Sequence, residues 1–219
     1  MSPPNEATGA PRRERHRRHA NPFSIRHEVP PLDPLATFGR VAPLALDIGF
    51  GEGGFLLELA RRHPEWNVLG LEIREHLVRQ LNDDARLGGL ANARAVLANA
   101  NINLAHLVPA RGVAFIAINH PDPWYKKRHK KRRVVNETLV ATIVDKLAPG
   151  GELHSMSDYE PIAREILTVL SACPALENLD GVGQFSATTT TGIVTEREVK
   201  HTARGEPIWR MRFRLRGPA

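Results

Sequence analysis

From Leu44 onward, two spacings of apolar residues take turns along the chain. Short apolar runs at Leu44–Ile48, Asn67–Ile73, Ala93–Ala98, Val113–Ile118 and Glu152–Met156 have the length of buried strands. Between them the apolar positions recur at helical intervals. Phe55, Leu56, Leu59 and Ala60 form one such stripe, stopped at Pro64. Leu77, Val78, Leu81 and Ala85 form a second, closed by Gly88 and Gly89. Leu139, Val140, Ile143, Val144 and Leu147 form a third, ended by Pro149-Gly150-Gly151, and Ile162, Ile166, Leu167 and Leu170 a fourth. Strand–helix alternation of this kind predicts an α/β domain with a doubly wound, mostly parallel sheet. Near the end, Trp209, Met211, Phe213 and Leu215 alternate with Arg210, Arg212, Arg214 and Arg216. That period of two predicts a last strand, added antiparallel, with one apolar and one arginine face, the latter expected to be solvated.

A chain of 219 residues suits one domain of this kind plus a tail. Residues 1–27 are rich in Pro, Arg, Ala and His without periodicity and are expected to be a disordered basic arm, leaving 28–219 as the folded domain. The formal charge of +6 is concentrated. The arm carries six Arg against two Glu, and residues 126–133 carry seven Lys or Arg and no acid. The rest of the chain is net acidic, which points to a polyanionic partner held at defined places. Cys173 is the single cysteine, so no internal disulfide forms, and no apolar run approaches a membrane span. A cytoplasmic protein is expected.

Asp47-Ile-Gly-Phe-Gly-Glu-Gly-Gly54 lies between a strand and a helix. Glycines let the backbone approach a ligand there, with Gly49 and Gly51 in the turn. Glu72 ends the next strand, at the offset where an acid meets ribose hydroxyls. A dinucleotide and S-adenosylmethionine both carry that ribose. Acids at Asp47 and Glu52 suit an ammonium and a sulfonium better than a diphosphate. Asn99, after the third strand, could bond an adenine edge or simply shape a turn. No His or Cys pair has zinc spacing, so no metal is expected. The fourth strand runs into Asn119-His-Pro-Asp-Pro-Trp124 and then the basic cluster. Pro121 and Pro123 brace Asp122 beside a surface suited to phosphates.

These segments resemble the bacterial tRNA (guanine-N7-)-methyltransferases, over most of the chain from about Phe38. The resemblance rests on Leu46-Asp-Ile-Gly-Phe-Gly51, Leu71-Glu-Ile-Arg74, Pro121-Asp-Pro-Trp124 with Lys126-Lys-Arg-His129, Pro149-Gly-Gly151, Ser157-Asp-Tyr159 and Thr195-Glu-Arg-Glu198. It implies a seven-stranded, Rossmann-like class I methyltransferase domain that uses S-adenosylmethionine. It also implies methylation of N7 of guanosine 46 in the tRNA variable loop. By position, Asp47, Glu72, Asn99 and Asp122 match cofactor-binding residues, and Asp122 matches the catalytic carboxylate. Lys126, Asp158, Thr195, Glu196, Arg197 and Glu198 match substrate contacts. Lys127, Arg128, His129, Lys130 and Lys131 are the expected RNA grip. The chain departs from the family pattern at His120, where an aromatic is usual, at Tyr125 (Pro), at Tyr159 (Trp), at Arg197 (Phe), at His201 (Gly) and at Glu206 (His).

Guanine N7 carries no proton, so its attack on a methyl group needs alignment and exclusion of water rather than a general base. Carboxylates of Asp122 and Asp158 could accept the N1–H and N2–H₂ edge, which adenine lacks. Two other functions compete: a catalytically weakened RNA-binding protein on the same scaffold, and a nicotinamide oxidoreductase, which leaves the basic segment unexplained. Monomer and homodimer both remain open.

Overall fold

The computed structural model describes residues 20–189 and 191–217. Its strands are β1 (Leu44–Ile48), β2 (Asn67–Glu72), β3 (Ala93–Leu97), β4 (Val113–Asn119), β5 (Leu147–Ser157), β6 (Leu176–Asn178) and β7 (Trp209–Leu215). Its helices are α1 (Pro34–Phe38), α2 (Gly54–Arg62), α3 (Glu75–Leu87), α4 (Ala100–Leu107), α5 (Glu137–Lys146), α6 (Glu160–Ser171) and α7 (Glu196–Thr202). One seven-stranded sheet runs in the order β3-β2-β1-β4-β5-β7-β6. β1 pairs in parallel with β2 and β4, and β7 runs antiparallel to both neighbours. The expected architecture is therefore observed, including the reversed last strand.

Strand alternation divides the core between the two faces of the sheet. Leu46, Ile116, Ile118 and Leu153 pack with Leu139 and Ile143 of α5 and Ile162 and Ile166 of α6. Ala45, Phe115 and Ala117 pack on the other face with Leu56 and Leu59 of α2 and Val78 and Leu81 of α3. Asp47 follows Ala45 by two residues, so it shares the α2 face at the strand tip. The chain order reverses between β1 and β4, and the crevice beyond the strands' carboxyl ends at such a point is where open α/β sheets bind ligands.

Four details differ from expectation. The helix through Leu147 stops at Lys146, and Leu147 already pairs with Val113. The pairing then slips at Pro149-Gly150-Gly151 and resumes at Glu152 with Phe115. Gly150 has φ +74°, and a Cβ on Gly151 would lie 3.0 Å from the Val113 carbonyl, so this glycine pair makes a bulge and not a helix stop. The second difference is the arginine face of β7, which is used internally. Arg210 pairs with Glu198, Arg212 with Asp180 and Arg214 with Glu152. The first two tie down the long connection between β6 and β7. Third, of the expected arm, residues 1–19 lie outside the described residues. Residues 20–27 are described and bonded: Asn99 Nδ2 donates to the Pro22 carbonyl, Asn103 Nδ2 to that of His27, and His27 Nε2 meets the Leu97 carbonyl. Finally, α4 and β6 join the predicted elements.

No described helix is long and apolar enough to cross a membrane.

Candidate active site

The turn after β1 carries Gly49 at φ +74° and Gly51 at φ +62°. Nothing lies within 4 Å of a Cβ built on either, so conformation and not crowding demands glycine. The turn bends the backbone over the tip of β2, where Gly51 N donates to Glu72 Oε2 at 3.2 Å.

Asp47 is 1% exposed, and neither carboxylate oxygen has a hydrogen-bond partner among the described residues. Burial, and then the nearby Glu72 charge, push its carboxyl up to about 8. Glu72 is also buried but fully engaged. Its Oε1 accepts from Ile73 N, Arg74 N and Arg74 Nε, and its Oε2 from Arg74 Nη2 at 2.8 Å. Arg74 also feels the charges of Asp122 and Glu52, so it sits among the acids of the crevice. Asn99 caps α4, with Oδ1 accepting from Asn101 N and Nδ2 spent on Pro22. Its turn-shaping role is thus the one realised. The adenine contact expected of it would have to displace Pro22 or use the second lone pair of Oδ1.

β4 delivers the second half of the site. Its last residue, Asn119, has both amide atoms buried without a partner among the described residues. His120 at φ +47° and Trp124 at φ +45° flank Pro121-Asp122-Pro123. Left-handed backbone is unfavourable for such bulky residues and is kept only where surrounding contacts enforce it. Those contacts are present. Arg133 Nε donates to the Pro123 carbonyl, its Nη1 reaches Glu165 of α6, and the Arg132 guanidinium lies 5.0 Å over the Trp124 ring. Asp122 lines a pocket with Pro121, Val135 and Ile162.

Asp158, one residue past β5, lies opposite. His120 Nδ1 approaches its Oδ1 at 3.4 Å, and His201 Nε2 and Arg197 Nη1 approach Oδ2 at 3.1 and 3.4 Å. Burial alone would raise this carboxyl, but the adjacent His120 imidazole and the Arg197 charge outweigh it and hold the group well below the usual carboxylate range. His201 Nδ1 in turn lies 2.6 Å from Glu206 Oε2. Three departures from the family pattern, His120, Arg197 and His201, therefore lie against one carboxylate, and a fourth, Glu206, meets it only through His201.

The segment Thr195–Glu198 is brought next to Asp158 through His120 Nε2, which lies 3.2 Å from Thr195 Oγ1. Its residues then part ways. Thr195 and Glu198 form a reciprocal capping box that starts α7. Glu198 is 0% exposed, with Oε1 taken by Arg210 and Oε2 by Thr195 N, so it shapes the loop from beneath and does not meet solvent as a substrate contact would. Glu196 is exposed beside Lys200. Within the basic segment, Lys126 caps a 3-10 helix over Lys127–Arg132. Arg132 and Arg133 point back to hold the loop, while Lys126, Arg128 and Lys130 face outward. Lys131 lies 5.8 Å over the Phe23 ring. Partial burial and the charges of Arg132, Arg128 and Lys126 push the His129 imidazole down. Sequence reasoning missed Arg74, the partners of His120, and Asn119. For Asn119 the signal was its place at a strand tip, two residues before Pro121-Asp122-Pro123.

A buried, unpaired carboxylate is costly unless donors or a cation meet it. Asp47 beside an open glycine turn fits the ammonium of the amino-acid end of S-adenosylmethionine. Among the described residues, no cluster of three or more His, Cys, Asp or Glu could hold a metal ion.

A family model described as a putative methyltransferase matches residues 41–211. The tRNA (guanine-N(7)-)-methyltransferase of Nostoc sp. is 39% identical over 205 residues, covering 91% of this chain and 93% of the relative. That of Alkalilimnicola ehrlichii is 44% identical over 156 residues, covering 71% and 66%. Among solved structures, the 16S rRNA methyltransferase KamB aligns with a TM-score of 0.59 at 15% identity, covering 84% of this chain and 92% of that one. A SAM-dependent methyltransferase from Aquifex aeolicus aligns at 0.56 and 15%, covering 83% and 87%. Both likenesses speak for the fold alone. With close to the full length of the Nostoc relative matched at this identity, and the acids of the motifs gathered at the strand tips, the chain belongs to the tRNA (guanine-N7-)-methyltransferase family.

Proposed function

We propose that this chain, an S-adenosylmethionine-dependent tRNA (guanine-N7-)-methyltransferase by family, methylates guanosine 46 in the variable loop, with residues 28–219 as the methyltransferase domain and residues 20–27 bonded onto it. The observation that carries the cofactor site is Asp47, buried with both oxygens unpaired at the tip of β1. When bound, the cofactor supplies a methyl group on a sulfonium. Asp47 and the Gly49–Gly51 turn would hold its amino-acid end, and Glu72 its ribose once the ribose hydroxyls replace one of the Arg74 donors.

The remaining chemistry belongs to the protein. Asp122 and Asp158 approach from the ends of neighbouring strands and accept the N1–H and N2–H₂ edge of guanine. Asp158 enters this task already ionised, because His120 and Arg197 keep it so. As N7 is alkylated, positive charge spreads over the purine, and these carboxylates stabilise it without any proton transfer. The proline-braced, left-handed loop fixes Asp122 so that little reorganisation is needed at the moment of reaction. Lys126, Arg128 and Lys130 hold the RNA backbone; such phosphate contacts position but do not specify. A tRNA substrate implies cytoplasmic work.

The weakened-enzyme alternative rested on the altered residues His120, Tyr125, Arg197 and His201, yet three of them, His120, Arg197 and His201, lie against the Asp158 carboxylate and leave it ionised for the substrate. The nicotinamide alternative is set aside by the family match. Labelled methyl transfer to purified tRNA tests the reading: incorporation is expected, and its absence with folded, cofactor-binding protein overturns it.

A further inference from the structure

Tyr125 and Tyr159 stand at two of the positions where the chain departs from its family pattern, and the fold brings them into contact. Their ring centroids are 5.0 Å apart with the planes at 72°, an edge-to-face pair. Tyr125 follows Trp124 in the loop that carries Asp122, and Tyr159 follows Asp158 directly. The pair therefore bridges the two acid-bearing loops at the rim of the site. The left-handed turn at Trp124 sends that ring inward onto Arg132, while Tyr125 is left 69% exposed.

An exposed aromatic ring gains nothing from the fold's own core. Its neighbours decide what it serves. The next residue is Lys126, followed by the outward Arg128 and Lys130. An exposed aromatic face beside a run of outward cations is an arrangement that binds unstacked bases of nucleic acid, since every base has a π-face and the cations follow its phosphates. Two tyrosines are too small a patch for a stable protein interface.

We infer that Tyr125, buttressed by Tyr159, is a stacking platform for an unstacked base of the RNA substrate, the nucleotide adjacent to the target guanine. This deepens the proposed function and rests on it. Stacking reads no base edge, so the platform tolerates any neighbour nucleotide and stabilises the opened RNA rather than selecting sequence.

The test compares the full chain with Y125A, Y125F and Y125W in equilibrium binding of tRNA across a salt series. Y125A is expected to bind about tenfold more weakly, with Y125F and Y125W within about twofold of the parent. The dependence on salt should stay the same in all of them, because no phosphate contact is lost. A tRNA carrying 2-aminopurine next to the target guanine should be quenched by parent and Y125F but not by Y125A. Parent-like binding and quenching by Y125A would overturn the platform, as would a loss in Y125F equal to that in Y125A. A parent chain that binds no tRNA at all would instead overturn the substrate reading, and the platform with it.

Discussion

Arg74 grips Glu72 with two guanidinium nitrogens, Nε to Oε1 at 3.1 Å and Nη2 to Oε2 at 2.8 Å. Glu72 is 3% exposed, so this fork, with three backbone donors, is what lets a charged group end β2 beneath the glycine turn. Arg74→Ala is expected to destabilise the cofactor-free protein by about 1–3 kcal/mol, since the backbone donors remain and the arginine is partly exposed. Adding cofactor should recover more of the lost melting temperature in the variant than it adds to the parent. Equal thermal shifts in both would argue that Arg74 does not balance the crevice.

Asp47 gives a pH signature. Its folded-state value of about 8 lies above the ordinary 3.8, so between those limits the native state keeps a proton that the unfolded chain has released. Stability from this group is complete below the lower limit and is lost as pH rises through the upper one. Asp47→Asn carries no such charge. Its melting temperature relative to the parent should therefore climb from about pH 5 to about pH 8. Cofactor affinity should move the other way, falling by about tenfold or more in the variant, because a charge-assisted contact is gone. A flat difference in melting temperature across that range would contradict the burial argument.

Glu198 and Arg210 form the pin beneath the start of α7. Removing the arginine leaves a fully buried carboxylate without a counter-charge and with only the Thr195 N donor, and Arg210→Ala should cost about 3 kcal/mol in chemical denaturation. The double variant Glu198→Leu, Arg210→Met should recover most of that loss, since it leaves no orphaned charge. If the double variant is as unstable as the single one, the pair's role is not electrostatic.

The strands were legible because buried runs such as Leu44–Ile48 and Val113–Ile118 face apolar neighbours on both sides and need no polar alternation. α4 was not. Asn101 and Asn103 interrupt its apolar pattern, and Asn103 is buried only because it bonds Asn99 N and the His27 carbonyl, partners that no local period encodes. β6 has three residues, too few to show a period. In the site, the acids were readable as strand-tip residues, whereas Arg74 and His120 take their meaning from what the fold places opposite them. Glu198 showed the reverse: its motif suggested a contact with substrate, and its burial makes it a support.

The outward cations separate grip from chemistry. Replacing Lys126, Arg128 and Lys130 by Ala should weaken tRNA binding and lower the log–log salt slope by about 2, with turnover at saturating tRNA little changed. Asp122→Ala should do the opposite, cutting turnover by about tenfold or more with tRNA affinity nearly intact, as expected for a group that acts in the transition state. Single-turnover kinetics beside filter binding distinguishes the two patterns, and a common loss in both variants would contradict the proposed division of roles.

The most direct measurement is the site of methylation. Purified protein, labelled S-adenosylmethionine and a tRNA with guanosine at position 46 are incubated, and the product is treated with borohydride and aniline, which cleave at N7-methylguanosine. Scission at position 46, lost when that guanosine is replaced by adenosine, is the predicted result. Label incorporated elsewhere, or no scission with protein that binds both cofactor and tRNA, would contradict the account.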